Sequence, residues 1–254
     1  MKKNITTKCG AVFFVVLSTV LETFYLNHSQ IFAKEANQPS PKIKTFEPYI
    51  SISCSANPYP EVDAAIEAKD YAELDRIFKT LKNKPNLTIN EQLSLHQLHG
   101  SSCLDLGKLN CAVDEFKKLI ARPEDVSESY YDPYLYIITQ LYFSLENYSE
   151  ALNYGKRWFN RQAEPNSDAF LLISQTYYML EDYEKALPYA LNGIQLSRDQ
   201  GNIPREGVLN LLHYIYRKSD KHEKAIPVLN ELIEHYPNKA YQKLKNETLN
   251  KLGQ

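Results

Sequence analysis

Eight residues of this chain, Leu145-Glu146-Asn147-Tyr148-Ser149-Glu150-Ala151-Leu152, return as Leu180-Glu181-Asp182-Tyr183-Glu184-Lys185-Ala186-Leu187. Fainter copies run from Leu106 to Val113 around Ala112 and from Ser219 to Ile226 around Ala225. The marker alanines are 39, 35 and 39 residues apart, and Leu74 takes the same slot 38 residues before Ala112, beside Tyr71 and Phe78. A unit of that size cannot bury its apolar face alone, so neighbouring units must stack. The expected fold is all-α, a stack of about five helical hairpins closed by a C-terminal capping helix. Such stacks more often bind partners than catalyse reactions.

The units resemble tetratricopeptide repeats, and that family's pattern, set in register on the alanines, implies the remaining core. In the last unit Leu209, Leu212, His213 and Tyr216 fall on one face of the first helix. Ala225, Leu229 and Leu232 follow on the second, and Pro237 closes it. The preceding unit offers Phe170, Ile173, Ser174 and Tyr177, then Ala186 and Ala190. Before it come Leu135, Ile138, Thr139 and Tyr142, then Ala151 and Trp158. Earlier still are His96, His99, Gly100 and Cys103, then Ala112, Phe116 and Leu119. Spacings of three and four put each set on one helical face. Tyr142, Ala151, Tyr177, Ala186, Tyr216 and Ala225 are thus the repeat core. Gly100, Thr139 and Ser174 fill a small-residue slot that lets two helices approach closely, and His213 breaks that rule, predicting looser packing there.

Helix starts are predicted at Asp132-Pro133, with Pro in the first turn, and at Ser167 and Asn238. Thr88 to Glu91 reads as a capping box. Pro188 and Pro227 fall near the limit of what a helix start tolerates. A last helix over about Lys239–Lys251 would close the stack, its Lys-rich outer face meeting water.

Across about residues 60–254 the sequence resembles the tetratricopeptide-repeat family, which implies that the hairpins form a right-handed superhelical stack. The two Leu-Glu-Asx-Tyr-x-x-Ala-Leu copies carry the likeness, with Tyr142 and Tyr177 upstream. From Asn147 to Lys243 it also resembles the periplasmic tetratricopeptide proteins that accompany TonB energy-transduction systems. The matching text includes Ala151-Leu-Asn-Tyr-Gly-Lys-Arg-Trp158, Ala169 to Tyr178, Asn210 to Tyr216, Ala225 to Leu229 and Tyr236-Pro237. That resemblance, and not composition or periodicity, implies a helper of TonB, ExbB and ExbD in outer-membrane uptake.

The N-terminus reads differently. Lys2, Lys3 and Lys8 precede an apolar run from Ala11 to Leu21, too short to span a bilayer of about 30 Å comfortably. A secretory signal over residues 1–33 is expected, with cleavage after Ala33; an uncleaved anchor facing the periplasm is the alternative. Residues 34–59 form an irregular lead-in, and 60–254 the repeat domain. The net charge of −2 lacks the basic excess that phosphate neutralisation usually requires, which argues against a nucleic-acid binder.

In such a stack the first helix of each hairpin lines a concave face. Tyr136, Gln140 and Phe143, then Leu171, Gln175 and Tyr178, then Asn210, Tyr214 and Arg217 are the candidate partner-binding residues. Amides can pair with an extended peptide backbone, and aromatics can grip its side chains. The plainer reading is that these aromatics pack between neighbouring helices. The family's carboxylate clamp uses Lys, Asn and Arg where this chain has Ser, Gln, Leu and Tyr, so capture of a peptide C-terminus is not expected.

His96, His99, Cys103 and Cys111 have the spacing of a possible zinc site, but His96, His99 and Cys103 occupy core slots, and packing accounts for them without a metal. Signal removal leaves Cys54, Cys103 and Cys111, an odd number in an oxidising compartment. Cys103 could pair with Cys111 across one hairpin turn, or Cys54 with either. No nucleophile elbow, phosphate loop or His-Glu-x-x-His motif occurs, so a non-catalytic adaptor without cofactor or metal is the leading reading. The alternatives are a redox-linked or metal-binding protein using Cys54, Cys103 and Cys111, and a self-associating scaffold.

Overall fold

The computed structural model describes residues 59–121, 123–126 and 128–253; the expected signal and lead-in, with Cys9 and Cys54, lie outside them. Among the described residues there are eleven α-helices, one short 3-10 turn at Pro123–Asp125, and no strand. No helix among them is long and apolar enough to cross a membrane. The chain forms two compact units that part between Glu146 and Asn147.

The first unit contains α1 (Pro60–Glu67), α2 (Tyr71–Lys82), α3 (Ile89–Asp105), α4 (Leu109–Leu119) and α5 (Glu128–Ser144), each packed on the next. The second contains α6 (Tyr148–Phe159), α7 (Ser167–Met179), α8 (Tyr183–Asp199), α9 (Glu206–Lys218), α10 (His222–His235) and α11 (Lys239–Lys251). There, too, consecutive helices pack together, and α7 also touches α9. That contact between the first helices of successive hairpins is what a repeat stack requires.

The repeated octapeptide is a turn followed by a helix start. Lys69, Gly107, Glu146, Glu181 and Asp220 all have positive φ, from 54° to 68°, at the same place in their turns. The following N–H then reaches back to the preceding helix: Asp70 to the Ala65 carbonyl, Lys108 to Cys103, Asp182 to Tyr177 and Lys221 to Tyr216, at 2.7–3.0 Å. This is the Schellman closure, which satisfies carbonyls that the helix end leaves unpaired. The next residue often caps the new helix. Asp70 accepts from the Glu73 N–H at 3.0 Å, Asn147 from Glu150 at 3.3 Å and Asp182 from Lys185 at 3.2 Å. Each such cap contributes about 1 kcal/mol.

Two predicted helix starts move. α5 begins at Glu128, so Pro133 lies inside the helix and Asp132 does not cap it. The apolar stripe already includes buried Tyr131 and Tyr134, and their burial offsets the one backbone bond that Pro cannot donate. At α7 the cap is Asn166, accepting from the Ala169 N–H at 2.9 Å, while Ser167 donates to the Gly193 carbonyl at 3.1 Å. The capping box at Thr88 and Glu91 is present, Asn238 caps α11, and α11 spans Lys239–Lys251 as expected. Pro188 and Pro227 sit inside α8 and α10 on exposed positions, where water can satisfy the freed carbonyl.

Ala151, Ala186 and Ala225 are fully buried, Tyr177 and Tyr216 are buried, and Tyr142 is half-buried. The small slot does physical work in two hairpins. Ser174 Oγ donates to the Ala186 carbonyl at 2.8 Å, bonding α7 to the start of α8. A Cβ on Gly100 would stand 2.4 Å from Cε1 of the fully buried Phe116 on α4. We therefore expect Gly100→Ala to cost about 1–3 kcal/mol in urea unfolding by displacing Phe116, whereas Gly207→Ala, with open space around it, costs far less.

Candidate functional site

The structure places the nine predicted partner-binding residues on the first helices of their hairpins, within separate units. In the first unit α5 carries half-buried Tyr136 and buried Gln140 and Phe143. In the second, α7 carries Leu171, Gln175 and Tyr178, all buried, and α9 carries buried Tyr214 with half-buried Asn210 and Arg217. Leu171, Tyr178 and Tyr214 belong to the hydrophobic core of the second unit. The plainer packing role is therefore real for these three. Tyr178 also meets Tyr183 at a centroid distance of 5.4 Å.

Asn210 has a further task. Its Nδ2 donates to Tyr241 Oη at 2.8 Å, and Tyr241 donates in turn to Glu206 Oε1 at 2.6 Å. The two α9 side chains thus pin the capping helix α11. Burial pushes the Tyr241 phenol well above its usual value, with Glu206 adding to the shift, so it stays a donor. Beside Tyr214, His213 is completely buried with no partner for either ring nitrogen. Burial, then the nearby Arg217 charge, pushes its pKa down to about 4. The small-slot exception is thus a neutral imidazole enclosed in the core.

A second constellation lies in the first unit. Glu115 projects from the inner face of α4 and is 4% exposed. It accepts from His96 Nδ1 at 2.7 Å and Lys118 Nζ at 2.9 Å, pairs with Lys82 Nζ from the end of α2, and has His99 Nδ1 at 3.4 Å. Burial opposes ionisation of this carboxyl, but the nitrogens of His96, His99, Lys82 and Lys118 gathered around it prevail and hold it well below the usual carboxylate range. Burial in turn pulls the Lys82 ammonium below its normal value, Glu115 acting against it. His99 stacks on Phe78 at a centroid distance of 4.2 Å. Sequence reasoning assigned His96 and His99 to the core but missed Lys82, Glu115 and Lys118. The available signal was that Glu115, unlike its neighbour Asp114, stands three residues after Ala112 and next to Phe116, on the apolar side of α4.

The open cysteine pairing resolves here as a disulfide between Cys103, at the end of α3, and Cys111, in the first turn of α4, with Cα atoms 5.9 Å apart. Cys103 is fully buried and Cys111 half-buried. Among the described residues, the ligand atoms of His99, Cys103 and Cys111 form a group all within 4.8 Å of one another. His96 stands apart from it, turned to Glu115.

Fold and repeats together define a tetratricopeptide-like helical repeat protein, all-α and built from stacked hairpins. Neither a protein-family model nor a curated protein matches the chain. Solved structures do match in shape. The apo form of RapI is 12% identical, with a TM-score of 0.54 over 94% of this chain and 68% of its own. MamA is 16% identical, with a TM-score of 0.50 over 64% of this chain and 88% of its own. At such identities the likeness is one of fold.

Removing Glu115 should leave the half-buried Lys82 ammonium without its counter-charge. Glu115→Ala is expected to lower stability in urea unfolding by about 3 kcal/mol, and Lys118→Ala, on an exposed stem, by much less. Acid should act through His213. Its folded value lies below its unfolded one of 6.5, so the stability it allows is complete above about pH 6.5 and falls away as pH drops towards 4. The loss from pH 7 to pH 5 attributable to His213 is about 2 kcal/mol, and His213→Leu should remove that portion of the pH slope.

Proposed function

We propose that this chain is a non-catalytic, exported adaptor that binds extended segments of a protein partner on the first-helix faces within each of its two units. The observation that carries the reading is the recurrence of amides and aromatics at equivalent places: Gln140 and Phe143 on α5, Gln175 and Tyr178 on α7, and Tyr214 with Arg217 on α9. Amides and aromatics are residue types suited to a peptide backbone and its side chains, and in the free chain Gln140, Gln175 and Tyr214 are buried, so contact with a partner falls first on half-buried Tyr136, Asn210 and Arg217 of the same faces. Export to the periplasm is supported by the lysine-led apolar run at the N-terminus and by the Cys103–Cys111 bond, a pairing typical of oxidising compartments. The resemblance of Asn147 to Lys243 to TonB-associated proteins supports TonB, ExbB or ExbD as the partner.

Because Tyr178 and Tyr214 are buried, truncating them would confound binding with stability. Photo-crosslinking side chains at the half-buried positions Tyr136, Met179 and Arg217 are the better probes, with exposed Leu191 and Lys224 as outer controls. In cells, protein adducts are expected from the first set and not from the second. Adducts confined to the outer positions would overturn the binding face. Adducts at the inner positions that contain no TonB, ExbB or ExbD would overturn the partner assignment alone.

A further inference from the structure

The described disulfide is surrounded by more coordinating chemistry than a simple staple needs. His99 Nε2 lies 3.8 Å from Cys111 Sγ, and the His99 nitrogen and both sulfurs fall within one 4.8 Å group. A tetrahedral zinc with Zn–S of about 2.3 Å and Zn–N of about 2.0 Å has an N···S edge of roughly 3.6 Å, so one edge already has nearly the right length. While bonded to each other the sulfurs are poor ligands. As thiolates they would be good ones.

We infer that Cys103, Cys111 and His99 form a latent zinc site that opens when the hairpin disulfide is reduced. The balance is simple. A dithiol reductant supplies two electrons and two protons, its own sulfurs become a disulfide, and the Cys103–Cys111 bond yields two thiols. Zinc then displaces both thiol protons and takes the two thiolates and His99 Nε2, leaving a fourth position for water. Cys111 lies in the first turn of α4, where the helix terminus favours a thiolate, and is half-buried, which gives the reductant access.

The ionic cluster supplies the support behind the imidazole. In the oxidised chain Lys82 Nζ lies 2.8 Å from His99 Nδ1, and an ammonium can only donate, so the ring proton sits on Nε2 and faces sulfur. When zinc takes Nε2 the proton moves to Nδ1. Lys82, a donor only, then turns away from Nδ1 and keeps its pairing with one Glu115 oxygen, while Glu115 Oε1, 3.4 Å from Nδ1, is placed to accept the ring proton. A carboxylate behind a ligating histidine is the arrangement that fixes tautomer and orientation at metal sites. Core packing explains His99 and Cys103 singly. It does not explain why the only buried carboxylate among the described residues stands behind a histidine aimed at the two sulfurs.

The test uses the full chain with Cys9→Ser and Cys54→Ser, so that the two hairpin cysteines alone remain. Zinc binding is measured against a competing chromophoric chelator at neutral pH, before and after phosphine reduction, and cobalt(II) replaces zinc for absorption spectra. One zinc per reduced chain is expected, held at least tenfold more tightly than by the oxidised chain, with a thiolate-to-cobalt charge-transfer band. His99→Gln should weaken zinc by at least tenfold. Equal zinc uptake in both redox states, or cobalt bound without a charge-transfer band, would overturn the site. The spectrum of the parent chain decides the matter even if Cys103→Ser and Cys111→Ser variants do not fold.

Discussion

In this chain the separation of two helices in a hairpin is set where a small residue of the first helix meets the second. Gly100 lies under the ring of Phe116, and Ser174 bonds the carbonyl of Ala186. Close approach brings the apolar stripes together, and each fully buried Leu, Ile or Phe then contributes about 1.5–3 kcal/mol. The turn conformation serves the same contact. A positive-φ residue and a Schellman bond reverse the chain in two or three residues, and the second helix starts while its alanine is still level with the small slot. Sequence, turn and core contact are therefore one device used repeatedly, and the rest of each unit stacks on it.

How much of this was legible in the sequence depended on whether a feature is local. The octapeptide revealed the turn and the helix that follows it, since Glu146 and Glu181 take the strained turn position and Asn147 and Asp182 take the cap. The alanine register found Ala151, Ala186 and Ala225 in the fully buried set. The start of α5 was misplaced because Pro133 normally marks a first turn, and local rules do not weigh the burial of Tyr131 upstream. Asn166 displaced Ser167 as a cap for a similar reason, since the Ser167 hydroxyl is engaged by Gly193 on the neighbouring helix.

The cluster in the first unit was the least legible part, and its chemistry is non-local. Lys82, His96 and Glu115 come from three helices, and no short-range spacing predicts that they converge. Such a cluster gives little net stability relative to apolar packing, yet removing one member strands the others. The first-helix faces pose the opposite problem. Gln140, Gln175, Tyr178 and Tyr214 were found by register, but register alone does not say how far each is buried. Leu171, Tyr178 and Tyr214 are core members as well as candidate contacts, so recognition and stability are coupled at the same side chains.

The central claim is that the hairpin, pinned by its small-residue contact, is the cooperative unit of this fold. Native-state hydrogen exchange of the full chain tests it most directly. The account predicts that amides around Ser174 on α7 and beyond Ala186 on α8 open together, with one shared free energy, and that those around Gly100 on α3 and Phe116 on α4 do the same. Exchange in which the two helices of either pair open independently, with unrelated free energies, would contradict it.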